Sequence, residues 1–104
     1  VKPASFHPQA EAELTDEALY YAAIAPVLGE RFVSAVEAAL ALASEFPESG
    51  PPYRYKTRRV FPRRFPFSIV YVEREADLYV LAIAPFARKP GYWRKRRKTV
   101  DDRG

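Results

Sequence analysis

The chain has no cysteine, no methionine, one histidine and only four glycines in 104 residues. Without a thiol, disulfides and thiolate metal sites are excluded, and with His7 alone most imidazole-based acid–base and metal schemes lack their parts. No apolar run approaches the ~20 residues that a membrane-spanning helix needs, and the first residues do not show the charged-then-apolar order of a secretory signal. These absences lead to the expectation of a soluble, cytoplasmic protein with no membrane partner, metal or cofactor. The length of 104 residues predicts one domain, 1–104, with a modest core and a large surface relative to it.

What the chain has in excess is separated charge. Residues 1–50 carry 2 Lys+Arg against 8 Asp+Glu, a net of −6, whereas residues 51–104 carry 15 against 5, a net of +10. A face of one sign concentrates ligands of the other sign and speeds their encounter, while a surface chosen only for solubility would mix the signs. The clustering points to a polyanion or an acidic protein as partner. Its densest part is the basic arm 87–104, which begins ARKPGYWRKRRK and sets seven cations around Pro90-Gly91-Tyr92-Trp93.

Hydrophobic periodicity assigns the elements. Val1–Phe6 is extended, with Pro3 tolerable at a sheet edge. His7-Pro8 starts a helix, because Pro gives up an amide hydrogen that the first turn cannot use. Acids at 11, 13, 16 and 17 suit that helix's positive end, and Ala10, Leu14, Ala18 and Tyr21 form its apolar face. Ala25-Pro26 breaks the helix. A second helix follows, with Phe32, Val36, Leu40 and Ala43 or Phe46 as its stripe; so short a link makes the two antiparallel neighbours. The Pro-rich stretch from Phe46 to Pro52 ends it.

Beyond Pro52 the period becomes two. Residues 53–59 alternate as a strand with Tyr53, Tyr55 and Thr57 on one face and Arg54, Lys56 and Arg58 on the other. Residues 67–72 and 78–84 are apolar on both faces, as central strands are, and short turns join the three into an antiparallel meander. The predicted class is α+β: an N-terminal edge strand and an antiparallel helical hairpin packed on an antiparallel β-sheet (β-α-α-β-β-β), followed by the basic arm.

That order is accompanied by particular words: Phe6-His7-Pro8 with Ala12-Glu13-Leu14, Tyr20-Tyr21, Leu28-Gly29-Glu30-Arg31-Phe32, and Ala39-Leu40 before Phe46-Pro47. Later come Arg63-Arg64-Phe65-Pro66-Phe67-Ser68-Ile69-Val70-Tyr71, then Leu81-Ala82-Ile83-Ala84 before Arg88-Lys89-Pro90-Gly91-Tyr92-Trp93. In this order and spacing, from about Phe6 to Arg97, the chain resembles the RelE/ParE superfamily of toxins from bacterial type II toxin–antitoxin systems. The resemblance implies a small basic toxin held inactive, in a hetero-oligomer, by a cognate antitoxin. RelE-like members are ribosome-dependent mRNA endonucleases; ParE-like members are known for poisoning DNA gyrase.

RNA cleavage needs a proton acceptor for the attacking 2′-hydroxyl, cations for the phosphorane charge and a donor for the leaving oxygen. A nuclease would draw these from Lys56, Arg58, Arg64, Arg88 and Tyr92. RelE-like enzymes also carry an Arg inside the central strand, and its place here is taken by Ser68, with Arg63 and Arg64 displaced towards the strand's start. Where nuclease relatives often have a His after the last strand, this chain has Pro85-Phe86. The favoured reading is therefore ParE-like, a stoichiometric binder of DNA gyrase with no catalytic residues; the ribosome and mRNA are the alternative. The predicted contacts for target or antitoxin are Leu14, Tyr21, Phe32 and Val36, as core and as the floor of a groove for an acidic, amphipathic antitoxin segment. With them stand Arg54, Lys56, Arg58 and Arg88 as charged contacts, and Tyr92 and Trp93 in the arm.

Plainer roles stand beside these. Alternating Phe65, Phe67, Tyr71 and Tyr79 read as helix-to-sheet packing, and His7 as the residue that starts a helix. Tyr92-Trp93 either stacks on a base or cation or tucks the arm against the sheet.

Overall fold

The computed structural model describes the backbone of residues 1–101 and the side chains of residues 1–97; residues 102–104 of the arm lie outside the described part. Strand β1 (Ala4–Phe6) leads into helices α1 (Pro8–Ile24) and α2 (Pro26–Glu45). Strands β2 (Pro52–Tyr53), β3 (Thr57–Val60), β4 (Phe67–Glu73) and β5 (Leu78–Pro85) follow, and helix α3 (Arg94–Asp101) lies in the arm. The sheet order is β1-β5-β4-β3-β2, with β1 parallel to β5 and every other pair antiparallel. The α+β expectation holds, with β1 making the sheet mixed.

The helix boundaries follow from local chemistry. The His7 imidazole Nδ1 accepts a hydrogen bond from the Gln9 amide at 3.1 Å and caps α1, whose first residue is Pro8. Ala25, extended at φ −158°, ends α1 and precedes Pro26 at the start of α2, so one residue makes the whole connection. The hairpin closes tightly because Gly29 has no side chain. A Cβ there would stand 2.8 Å from the Ala22 Cβ and 2.9 Å from the Ala18 carbonyl oxygen.

Two cores lie on opposite faces of the sheet. The helix face buries Ala10, Phe32, Val36 and Leu40 against Phe67, Ile69, Val80 and Ile83, with Tyr21 and Phe65 packed around them. Phe32, fully buried, holds the rings of Phe65 and Phe67 at centroid distances of 5.2 Å. The other face buries Val70, Val72, Leu81, Ala82 and Ala84 under Trp93. Both faces of β5 are apolar, and a bulge exchanges them midway: Tyr71 pairs with Val80 and Val70 with Ala82, leaving Leu81 as the extra residue. After a bulge the inside–outside alternation reverses. Val80 therefore faces the helices, while Ala82 and Ala84 face the arm.

The predicted strand over 53–59 is corrected. Arg54–Lys56 form a 3-10 turn in which Tyr55 and Lys56 have φ of 60° and 59°, so Tyr53 pairs with Thr57 across a hairpin. Two consecutive left-handed residues cannot continue a pleat. The basic ladder of Arg54, Lys56 and Arg58 on one strand face does not form.

Candidate functional site

The arm is fastened to the second face through one carboxylate. Glu13 comes three residues after Ala10 on the inward side of α1, and its side chain reaches the edge of β5 beyond the end of β1. There its Oε1 accepts from the Ile83 amide at 3.1 Å and from Arg96 Nη1 at 2.9 Å. Its Oε2 accepts from the Tyr92 hydroxyl at 2.8 Å and Arg96 Nη2 at 3.1 Å. Arg96 Nη1 also donates to the Leu81 carbonyl at 2.9 Å, the residue at the bulge. The strand edge left open by the shortness of β1 is thus satisfied by side chains, as buried backbone groups require. Arg88 stands 3.9 Å from the same carboxylate, with its guanidinium 3.6 Å from the centre of the Tyr92 ring.

Trp93, 1% exposed, completes the closure. Its ring meets Tyr53 and Tyr55 at centroid distances of 5.9 and 5.8 Å. The chain reaches it through Gly91 at φ 85°, where a Cβ would come within 3.2 Å of the Tyr55 ring. Arg97 Nε donates to the Tyr55 carbonyl at 3.2 Å, so the arm also braces the left-handed turn.

A cavity of about 320 Å³ opens beside the arm, lined by Arg59, Ser68, Phe86, Arg88, Lys89 and Tyr92 among others. Arg59 Nη1 donates to Ser68 Oγ at 3.2 Å, and the guanidinium lies 4.0 Å from the Tyr53 ring centre and 5.1 Å from that of Phe61. A cation therefore does stand at Ser68, supplied by the neighbouring strand. Reading along one strand from Arg63 and Arg64 missed it, because the approach is lateral.

The residues that a nuclease would draw upon come from different elements. Arg88 and Tyr92 line the cavity. Arg58 donates instead to the Glu48 and Gly50 carbonyls, at 3.2 and 2.7 Å; Lys56 sits in the 3-10 turn, and Arg64 lies in the β3–β4 loop at φ 73°. Burial, and then the hydrogen bond to Glu13, push the Tyr92 hydroxyl well above the usual tyrosine range. A phenol so held neither gives nor takes a proton readily near neutrality.

The predicted contact residues also divide. Phe32, Val36 and Trp93, at 0%, 1% and 1% exposure, belong to the two cores, the part of their expected role that packing alone fills. Leu14 and the Val36 edge line an apolar groove of about 330 Å³ that also takes in Phe6, Val33, Leu40 and Glu37. Tyr21 is half-buried against Phe32 and Phe65. Arg54, Lys56 and Arg88 are exposed. Near the α1–α2 connection, Leu19, Tyr20, Ile24 and Val27 are exposed apolar side chains. The sequence reading placed Glu13 at the helix's positive end and among the family words but gave it no partner; the signal available was a carboxylate beside the apolar stripe, which needs a cation when it is buried.

Among the described residues no helix is long and apolar enough to cross a membrane, and no group of three or more His, Asp or Glu side chains could hold a metal ion. A search of curated proteins returns no match. Among protein families, the one described as "ParE toxin of type II toxin-antitoxin system, parDE" matches residues 4–90, from β1 to the Pro90 that begins the arm's turn. A toxin of this kind implies a cognate antitoxin partner. With a match spanning both helices and every strand, the chain belongs to the ParE toxin family of type II toxin–antitoxin systems.

Proposed function

We propose that the protein halts bacterial growth by binding DNA gyrase stoichiometrically, without turnover chemistry, and that a cognate antitoxin neutralises it. The observation that carries this reading is the state of Tyr92. Its hydroxyl is tied to Glu13 at 2.8 Å, while Lys56, Arg58 and Arg64 lie on other elements of the chain. The one hydroxyl expected to move a proton in RNA cleavage is engaged in holding the arm. Membership in the ParE family supports gyrase as the target, and the basic surface suits an acidic partner.

The antitoxin is expected to supply an acidic, amphipathic segment. Its apolar side would enter the groove at Phe6, Leu14 and Val33, and its carboxylates would meet Arg54, Lys56 and Arg88; an ordering segment can wrap a large area of so small a domain. A second reading, the ribosome-dependent mRNA endonuclease, has one observation in its favour, the Arg59 guanidinium at Ser68.

The two are separated by adding the purified toxin to a gyrase supercoiling reaction and, separately, to a translation extract. Loss of supercoiling with intact message is the expected result. Cleaved message with unchanged gyrase activity overturns the reading in favour of the second.

A further inference from the structure

Two apolar patches stay open to water, and their surroundings differ in charge. At the α1–α2 connection Leu19, Tyr20, Ile24 and Val27 are exposed, with Asp16, Glu17 and Glu30 close to them in the chain. The second patch is Phe61 and Phe86, 45% and 57% exposed, whose rings meet at a centroid distance of 5.9 Å. The segments that carry it, residues 49–72 and 78–100, hold six and seven Lys and Arg and no Asp or Glu. Adjoining exposed rings mark a contact surface, and aromatic residues with arginine are what protein interfaces are enriched in.

The fold holds this pair ready. Phe61 follows β3 directly and Phe86 follows β5; both strands flank β4, whose Ile69 pairs with Val60 and whose Phe67 pairs with Pro85. The Phe86 amide donates to the Pro66 carbonyl at 2.9 Å, and the Arg59 guanidinium lies 5.1 Å from the centre of the Phe61 ring. Rings anchored at strand ends lose little freedom on binding, and such preorganisation raises affinity. Their planes cross at 68°. Parallel planes would admit a flat base between them, whereas a crossed pair leaves a corner suited to a branched aliphatic or proline side chain. Arg63 and Arg64 in the β3–β4 loop, and Arg88 and Lys89 after β5, are all exposed and supply cations close to the rings in the chain. The complement of such a surface is an apolar side chain flanked by carboxylates.

We infer that the Phe61–Phe86 corner is where DNA gyrase docks, with an aliphatic or proline side chain of gyrase against the two rings and neighbouring carboxylates on Arg63, Arg64, Arg88 and Lys89. This rests on the gyrase reading and adds to it the surface and the chemistry of the contact. The apolar groove assigned to the antitoxin is lined by other residues, Phe6, Leu14 and Val33 among them, so the two partners are separable by mutation.

The full chain is passed over immobilised gyrase, free of DNA, and its affinity is read by surface plasmon resonance beside inhibition of supercoiling. Phe61→Ala and Phe86→Ala should each weaken binding at least about tenfold, as truncation of an interface anchor does, and raise in parallel the concentration needed for inhibition. Arg63→Gln with Arg64→Gln should act through slower association and a shallower dependence on salt. Leu19→Ser, on the first patch, should leave the affinity unchanged, and circular dichroism checks that each variant is folded. A folded Phe86→Ala that binds gyrase as the unaltered chain does overturns the docking site while the gyrase reading stands. So does loss of binding in Leu19→Ser with both Phe variants unaffected. A single-stranded oligonucleotide is passed over the same proteins; Phe variants that lose the oligonucleotide but keep gyrase would make the corner a nucleic-acid contact and likewise overturn the proposal. If the unaltered chain neither binds gyrase nor inhibits it, the gyrase reading fails and takes the docking site with it.

Discussion

The two faces of the sheet are closed in different ways. The helix face is covered by two helices, 17 and 20 residues long, whose apolar stripes interlock with alternating strand residues. The opposite face is covered by a short arm that brings one indole and a set of charge-assisted hydrogen bonds gathered on Glu13. Apolar area removed from water stabilises at roughly 25 cal/mol per Å² whatever its exact geometry. An ion cluster stabilises only while every partner is present, because a charge left without its mate keeps its desolvation penalty. The second face is the more easily undone, and it is the face beside the cationic cavity.

The largest expected effect tests the helix face. Phe32→Ala removes a fully buried ring and should cost about 3–5 kcal/mol, seen in urea unfolding followed by circular dichroism; a cost below ~1 kcal/mol would mean that the hairpin does not hold the core. Glu13→Gln comes next. It leaves Arg96, whose side chain is 10% exposed, short of its carboxylate and should cost about 2–3 kcal/mol, somewhat under the range for fully buried pairs. Trp93 emission should then shift to the red at lower urea than the loss of helical signal. Coincident transitions would show that the two faces open as one unit.

Smaller effects sharpen the comparison at the turn and at the helix start. Lys56 is exposed and held at φ 59°, a region that costs non-glycine residues roughly 1–2 kcal/mol. Lys56→Gly should raise stability by up to ~1 kcal/mol once glycine's extra unfolded-state freedom is counted; a lower melting temperature would contradict the left-handed turn. His7 gives the smallest effect. Burial first, and then the Arg96 charge, lower its pKa from 6.5, with Glu13 opposing them. The unfolded chain therefore binds the proton more readily, so His7's contribution is complete above about pH 6.5 and is lost as the pH falls through the folded value. The melting temperature should decline between pH 7 and 5, and His7→Asn, which keeps a capping acceptor, should flatten that decline.

Much of the helix face was legible in the chain. Pro8 and Pro26 mark the helix starts, and Phe32, Val36 and Leu40 appear in the periodicity because helix propensity and burial act on residues close in sequence. The arm face was less legible, since its contacts join Glu13 to Tyr92 and Arg96, 79 and 83 residues away. The family resemblance pointed to the right fold, yet left Trp93 open between stacking on a ligand and tucking the arm against the sheet, and found no cation for Ser68.

The sequence by itself determined the α+β order, the division of charge and the helix boundaries, because periodicity, proline and composition are local properties. Only the tertiary structure decided that Tyr53 to Arg59 folds back as a hairpin, that the bulge at Leu81 exchanges the faces of β5, and that Arg59 reaches Ser68 from the neighbouring strand. These depend on strand register and on which distant groups must satisfy one another's charge and hydrogen bonds, and such pairings exist only once the chain has folded.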